Sequence, residues 1–156
     1  MFAKPQSEHQ WLNQFLGNWT LEHECQMPDG TKSKTAGTMK CRSLGGLWLV
    51  GESTGGANEA SWSAILTLGF DPAKSQFVGT YVGSMMTNIW PYHGVLSESG
   101  KHLPLESFGP KFVGEGSCKY VDTIELINEN EWHLSSQYQA DDGSWVSFMV
   151  GKHVRA

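Results

Sequence analysis

Apolar and polar residues change period once along this chain, at Gly17. Before it, Trp11 and Phe15 are four apart, as are Leu12 and Leu16, which puts both pairs on one helical face. Ser7 as N-cap with Gln10 three residues on has the form of a capping box, and Gly17 is a natural stop. A short helix over about 7–16 is predicted. After Gly17, Trp19, Leu21, His23 and Cys25 alternate with Thr20, Glu22, Glu24 and Gln26, a strand with one dry face. Turn chemistry then recurs every ~8–12 residues, the spacing of an all-β sandwich or barrel. The turns are Pro28-Asp29-Gly30, Leu44-Gly45-Gly46, Gly55 to Asn58, Asp71 to Lys74, Met85-Met86, Glu98 to Gly100, Gly109-Pro110, Asn128 to Asn130 and Asp141 to Gly143. Between them lie strand-like runs, roughly ten in all.

Several runs are apolar on both faces. Trp62, Ala64, Leu66, Leu68 and Phe70 oppose Ile65. Phe77 and Tyr81 oppose Val78 and Val82. Val146, Phe148 and Val150 oppose Trp145 and Met149. A plugged barrel with an apolar lumen satisfies this pattern, and so does a two-sheet sandwich. Gly37, Gly79, Gly83 and Gly94 lie inside strands, where glycine marks bends and close backbone approach, and they favour the barrel. No second helix is long enough for a βαβ crossover, which excludes a parallel sheet.

Phe15-Leu16-Gly17-Asn18-Trp19 resembles the helix and Gly-x-Trp opening of the calycin superfamily, the barrels of lipocalins and fatty-acid-binding proteins. The resemblance implies an up-and-down barrel whose closed end holds Trp19 under a late arginine, for which Arg155 stands ready. Gly17, Trp19 and Arg155 are thus expected to be structural. Further runs extend the resemblance. Leu44 to Val50, Leu68 to Pro72, Ser84-Met85, Trp90 to Gly94 and Asp142-Gly143 resemble the bacterial lipocalin-like domain-of-unknown-function family 1579, in order along the chain. This implies a single lipocalin-like all-β domain over 1–156, with the helix at about 7–16 and the barrel at about 18–155. It implies no activity. Gly83 stands where an aspartate commonly precedes the Ser-Met pair, and His153 where a tyrosine is expected, so roles of those family side chains do not carry over.

Composition narrows the function. The 156 residues include 18 glycines and 7 tryptophans, and charged residues are 17 %. The net charge of -5 disfavours nucleic acid, which needs a basic patch. No run of ~18 apolar residues spans a membrane. The start of the chain shows one early lysine and no apolar h-region, so the expected compartment is the cytoplasm. Cys25, Cys41 and Cys118 have neither disulfide-framework nor zinc spacing and read as small apolar side chains.

The candidate ligand-binding residues are His23, Trp62, Tyr81, Met86, Trp90, Tyr92 and His153. Trp90 and Tyr92 share a face and, with Tyr81, would wall an apolar pocket; ordinary core filling is the alternative. His23 and His153 fall on the first and last strands, neighbours in an up-and-down barrel. Their imidazoles could move a proton, hold a metal or ligate haem, or simply be a polar pocket group and a rim group. No HxH, HExxH or carboxylate spacing supports a metal, and no cofactor is called for. Among the acids, Asp122 shares a face with Ile124 and Leu126. Glu106 and Glu125 read as solvated, and Lys119 or Lys111 are available to pair with these acids. No GxSxG elbow or phosphate loop occurs, and catalytic residues are not identifiable.

The leading expectation is a carrier of a small, largely apolar molecule. The alternatives are an enzyme doing proton-transfer chemistry in the lumen and a haem-binding barrel. Outward Val, Ile and Phe residues make a homodimer the expected partner arrangement.

Overall fold

The computed structural model describes residues 1–156 and shows a closed antiparallel barrel of ten strands. They are β1 Gly17–Gln26, β2 Lys32–Leu44, β3 Trp48–Gly55, β4 Trp62–Asp71, β5 Gln76–Gly83, β6 Trp90–Gly94, β7 His102–Pro110, β8 Ser117–Asn128, β9 Glu131–Gln139 and β10 Trp145–Arg155. Each strand pairs with its sequence neighbours, and β1 closes the ring on β10 through Trp19 to Cys25 against Arg155 to Met149. Closure gives every strand a neighbour on both sides, although β6 and β7 meet at one register pair, His93 with Glu106.

The predicted helix divides in two. Helix α1 covers Ser7–Trp11, and a 3-10 turn covers Leu12–Phe15. Its N-cap is Gln6 rather than Ser7: the Gln6 backbone N–H donates to His9 Nδ1 at 2.9 Å, so the Ser7/Gln10 box is not formed. The His9 ring also bonds the Phe70 carbonyl at 3.1 Å, tying the helix to β4. Trp11 Nε1 donates to the Gly100 carbonyl at 2.8 Å across the same end. The helical segment is thereby fixed as a plug in one mouth. Leu12 and Phe15 join Trp19, Leu68, Phe77, Leu103 and Trp132 in one buried cluster.

Alternation sends Ala64, Leu66 and Leu68 inward and leaves Ile65 exposed outside, as the pattern requires. Strand β7 includes Gly109 and Pro110, where a turn is expected, and ends at Pro110. Gly109 allows this because the Trp90 ring fills the space a Cβ would take. The more consequential difference is in β10. A bulge between Ser147 and Met149 inserts one residue against β9 and shifts the parity. Trp145 therefore lies exposed outside while Met149 turns inward, although simple alternation places them on one face. Phe148 and Met149 both reach the lumen.

Close approach of neighbouring strands rests on glycine at two positions. A Cβ on Gly79 would collide with the Thr67 carbonyl oxygen, and one on Gly94 with that of Pro104.

Candidate functional site

The half of the barrel away from the plug contains a cavity of about 280 Å³. That is near the lower end of small-molecule pockets, which run ~300–1,000 Å³. Its walls include His23, Trp62, Tyr81, Met86, Trp90, Tyr92 and His153, so the structure brings all seven sequence candidates together. Gly17, Trp19 and Arg155 meet at the other end. The Arg155 guanidinium lies 4.2 Å from the Trp19 ring centre, and Trp19 Nε1 donates to the Phe15 carbonyl at 2.8 Å. Arg155 also donates to the carbonyls of Leu16, Gln14 and Glu129 at 2.9, 3.2 and 3.0 Å.

The two histidines converge over Gly151, the register partner of His23. A Cβ there would sit 3.0 Å from His23 Nε2 and 3.6 Å from His153 Cε1. Each ring is held by an indole. His153 stacks on Trp132 at 3.6 Å, nearly parallel, and His23 stacks on Trp62 at 5.3 Å. Burial, reinforced by the neighbouring His23, pushes the His153 pKa down to about 3. Burial also lowers that of His23. Both are neutral at physiological pH. No cluster of three His, Cys, Asp or Glu side chains is placed to hold a metal ion.

Two strands along the ring from His153 is a group that the sequence left as one acid among three. Asp122 on β8 points into the lumen, as its shared face with Ile124 and Leu126 indicated, and lines the cavity. Tyr92 donates its hydroxyl to Asp122 Oδ2, and Ser136, its register partner on β9, also supports the carboxylate. Desolvation raises the Asp122 pKa despite these bonds. The carboxyl is partly exposed, but to the cavity it lines, so burial governs its charge. Burial and the Asp122 charge push Tyr81 up to about 12 and Tyr92 upward as well. Glu106 and Glu125 face outward against His93 and His102, at 3.4 and 3.6 Å, rather than against a lysine.

Three polar atoms of the lining lack a partner: Ser107 Oγ, Trp132 Nε1 and His153 Nδ1. Their residues are 8 %, 1 % and 2 % exposed. Unsatisfied polar atoms in a core each cost ~1–3 kcal/mol. Sequence alternation shows that these side chains point inward; it does not show that nothing meets them.

The family model described as protein of unknown function (DUF1579) matches residues 4–155. The chain belongs to this family. Among solved structures, this DUF1579 chain is similar to Rv2717c from M. tuberculosis, with a TM-score of 0.67 and 14 % identity, over 98 % of this chain and 99 % of that one. It is also similar to the S-type phycobiliprotein lyase CPES from Guillardia theta, with a TM-score of 0.63 and 12 % identity, over 97 % and 98 %. Both are lipocalin/calycin-like barrels, and at such identity the likeness is one of fold. No curated protein matches the DUF1579 chain by sequence. No helix is long and apolar enough to cross a membrane.

Proposed function

We propose that this barrel binds a small, largely apolar molecule in the cavity opposite the plug. The observation that carries the reading is that the inward side chains fill one half of the lumen and leave about 280 Å³ in the other. The walls combine wide aromatic and methionine surfaces with a few fixed polar atoms, the pairing that gives small-molecule sites both affinity and orientation. Met86 and Trp90 form part of one wall, with Trp90 Nε1 2.8 Å from Met86 Sδ. The thioether gives that wall a surface that adjusts to cargo shape.

Titration with a neutral polarity-sensitive dye such as Nile red tests the site. Saturable binding that is lost when a lumen residue is enlarged, as in Ser53→Trp, is the expected outcome. No saturable binding, together with native mass spectra free of any retained small molecule, would overturn the reading.

One observation favours a second reading, proton-transfer catalysis in the lumen: the hydrogen-bonded Tyr92–Asp122 pair beside the cavity. Deuterium uptake from D2O into the C–H bonds of a retained molecule would support it. A retained molecule that stays unlabelled would leave the carrier. Association of two copies, the finer claim about partners, would use outward apolar residues such as Ile65 and Val82, register neighbours on β4 and β5. A monomer in sedimentation at low micromolar concentration would remove it.

A further inference from the structure

A carrier of purely apolar cargo has no need of a carboxyl in its lumen. Tyr92, Tyr81, Ser107 and Ser136 already offer neutral hydrogen-bonding groups. Yet Asp122 sits there, and its charge has no counterpart. No lysine or arginine lines the cavity. The titratable groups that share the cavity with Asp122 are Tyr81 from β5, Tyr92 from β6, Tyr120 from β8, His23 and Cys25 from β1 and His153 from β10. The tyrosines ionise only at high pH and the histidines are neutral, so none brings a positive charge.

Each class of ligand meets this arrangement differently. A carboxylate or phosphate finds no cation and faces a group that becomes negative. A neutral molecule leaves the carboxyl without a counter-charge. An organic cation supplies the missing charge. The surroundings suit one. Trp90 and Tyr120 pack edge-to-face at 4.7 Å, Tyr92 touches the carboxyl, and Tyr81 faces it from the next strand. Ring faces attract a desolvated cation through their negative quadrupole. Ser107 adds a second contact. It lies on β7 two residues from Leu105, the register partner of Asp122, and its unpartnered hydroxyl oxygen can accept an N–H bond there.

Resting on the reading of the cavity as a ligand site, we propose that its ligand is a small amine bound as the ammonium ion. Asp122 is the counter-charge, Tyr81, Tyr92, Trp90 and Tyr120 surround the head, and Trp62, Leu66 and Met39 accept the apolar body. The proton balance is explicit. Where Asp122 is protonated before binding, its O–H bond breaks and that proton leaves to the buffer. The ammonium keeps its own protons and donates N–H hydrogen bonds to the carboxylate and to the Ser107 hydroxyl oxygen. Affinity therefore rises with pH through the titration of Asp122 and then levels off.

The test uses the full chain and three ligands with one body: phenethylamine, 2-phenylethanol and phenylacetate. Each competes against bound Nile red, with calorimetry of the amine in two buffers of different ionisation enthalpy. Phenethylamine should displace the dye at about tenfold lower concentration than the alcohol, the size of a charged hydrogen bond. Phenylacetate should be the weakest. Amine binding at acidic pH should release a proton. Asp122→Asn should reduce the amine to the level of the alcohol, and a far-UV circular dichroism spectrum matching that of the parent protein shows the barrel is intact. The proposal is overturned if phenylacetate competes as well as the amine, if Asp122→Asn keeps the amine preference, or if the dye binds and none of the three displaces it. A barrel that takes up no dye at all fails at the cavity itself, which separates that outcome from failure of the amine assignment.

Discussion

The two halves of this barrel follow the same alternation and end up physically opposite. At the closed end, Phe15, Trp19 and Trp132 are 0 %, 2 % and 1 % exposed and pack edge-to-face at 5.1 and 6.1 Å. At the open end, Trp62, Tyr81, Trp90 and Phe148 are only half-buried around a cavity. The difference is the plug. Leu12 and Phe15 add side chains that do not belong to any strand and complete the filling of one mouth. Nothing equivalent enters the other. A ten-strand ring is too wide for its own inward side chains to fill throughout. Stability is thus concentrated where the plug enters, and binding capacity where it does not.

The most direct way to break the comparison is to remove part of the plug. Phe15→Ala should lose about 3–5 kcal/mol in urea unfolding, the range for large aromatics truncated in a core. An unchanged midpoint would mean that the closed end is not the stable half.

Acid should act next most strongly. The folded state holds His153 neutral, with its pKa near 3 against 6.5 for the free group. Between those values the unfolded chain binds the extra proton. Stability is therefore complete above pH 6.5 and falls as pH drops, by about 1.4 kcal/mol per pH unit from this group. His153→Phe keeps a ring on Trp132 and should flatten this slope in urea midpoints measured from neutral to acidic pH.

Arg155→Ala should cost about 1–2 kcal/mol, because a cation on an indole and several carbonyl bonds are lost from a site still reached by solvent. Lysine should rescue it poorly, since it lacks the planar fork that reaches Leu16, Gln14 and Glu129 together.

On the open wall, Trp90→Ala should cost only about 1 kcal/mol, because the ring is half-buried. It should also admit larger ligands, read by dye competition.

The smallest effect has the opposite sign. The folded pKa of Asp122 lies above its unfolded value, so the fold favours the protonated form. The group lowers stability increasingly as pH rises from its unfolded to its folded pKa. Asp122→Asn should raise Tm at neutral pH and lose that advantage in acid. A Tm difference independent of pH would show that the carboxyl titrates normally.

Much of the barrel was legible because local chemistry and period agree along most of the chain. Asp29, Asp71 and Asp142 bond the backbone two residues on, at 2.9, 3.0 and 2.9 Å, and so fix turns where the sequence predicts them. The inward direction of His23, Tyr81, Tyr92, His153 and Asp122 follows from parity, which a closed sheet enforces on every strand. Parity fails at Met149, since a bulge is a property of two paired strands and leaves no mark in one. The role of Asp122 was not legible for a related reason. Inward direction was readable, but the company it keeps comes from five other strands: Tyr81 from β5, Tyr92 from β6, Ser136 from β9, and the two histidines from β1 and β10.

The sequence by itself determined the all-β class, the number of strands, the helix that precedes them and, wherever no bulge interrupts the alternation, the side of the wall on which each residue stands. These depend on interactions between residues close in the chain, where period and turn chemistry act. Only the tertiary structure decided how far the plug fills the lumen, which polar atoms are left without partners, and that a lone carboxyl faces a cavity with no cation. Those are sums over strands distant in sequence, and a sum of that kind has no local signature.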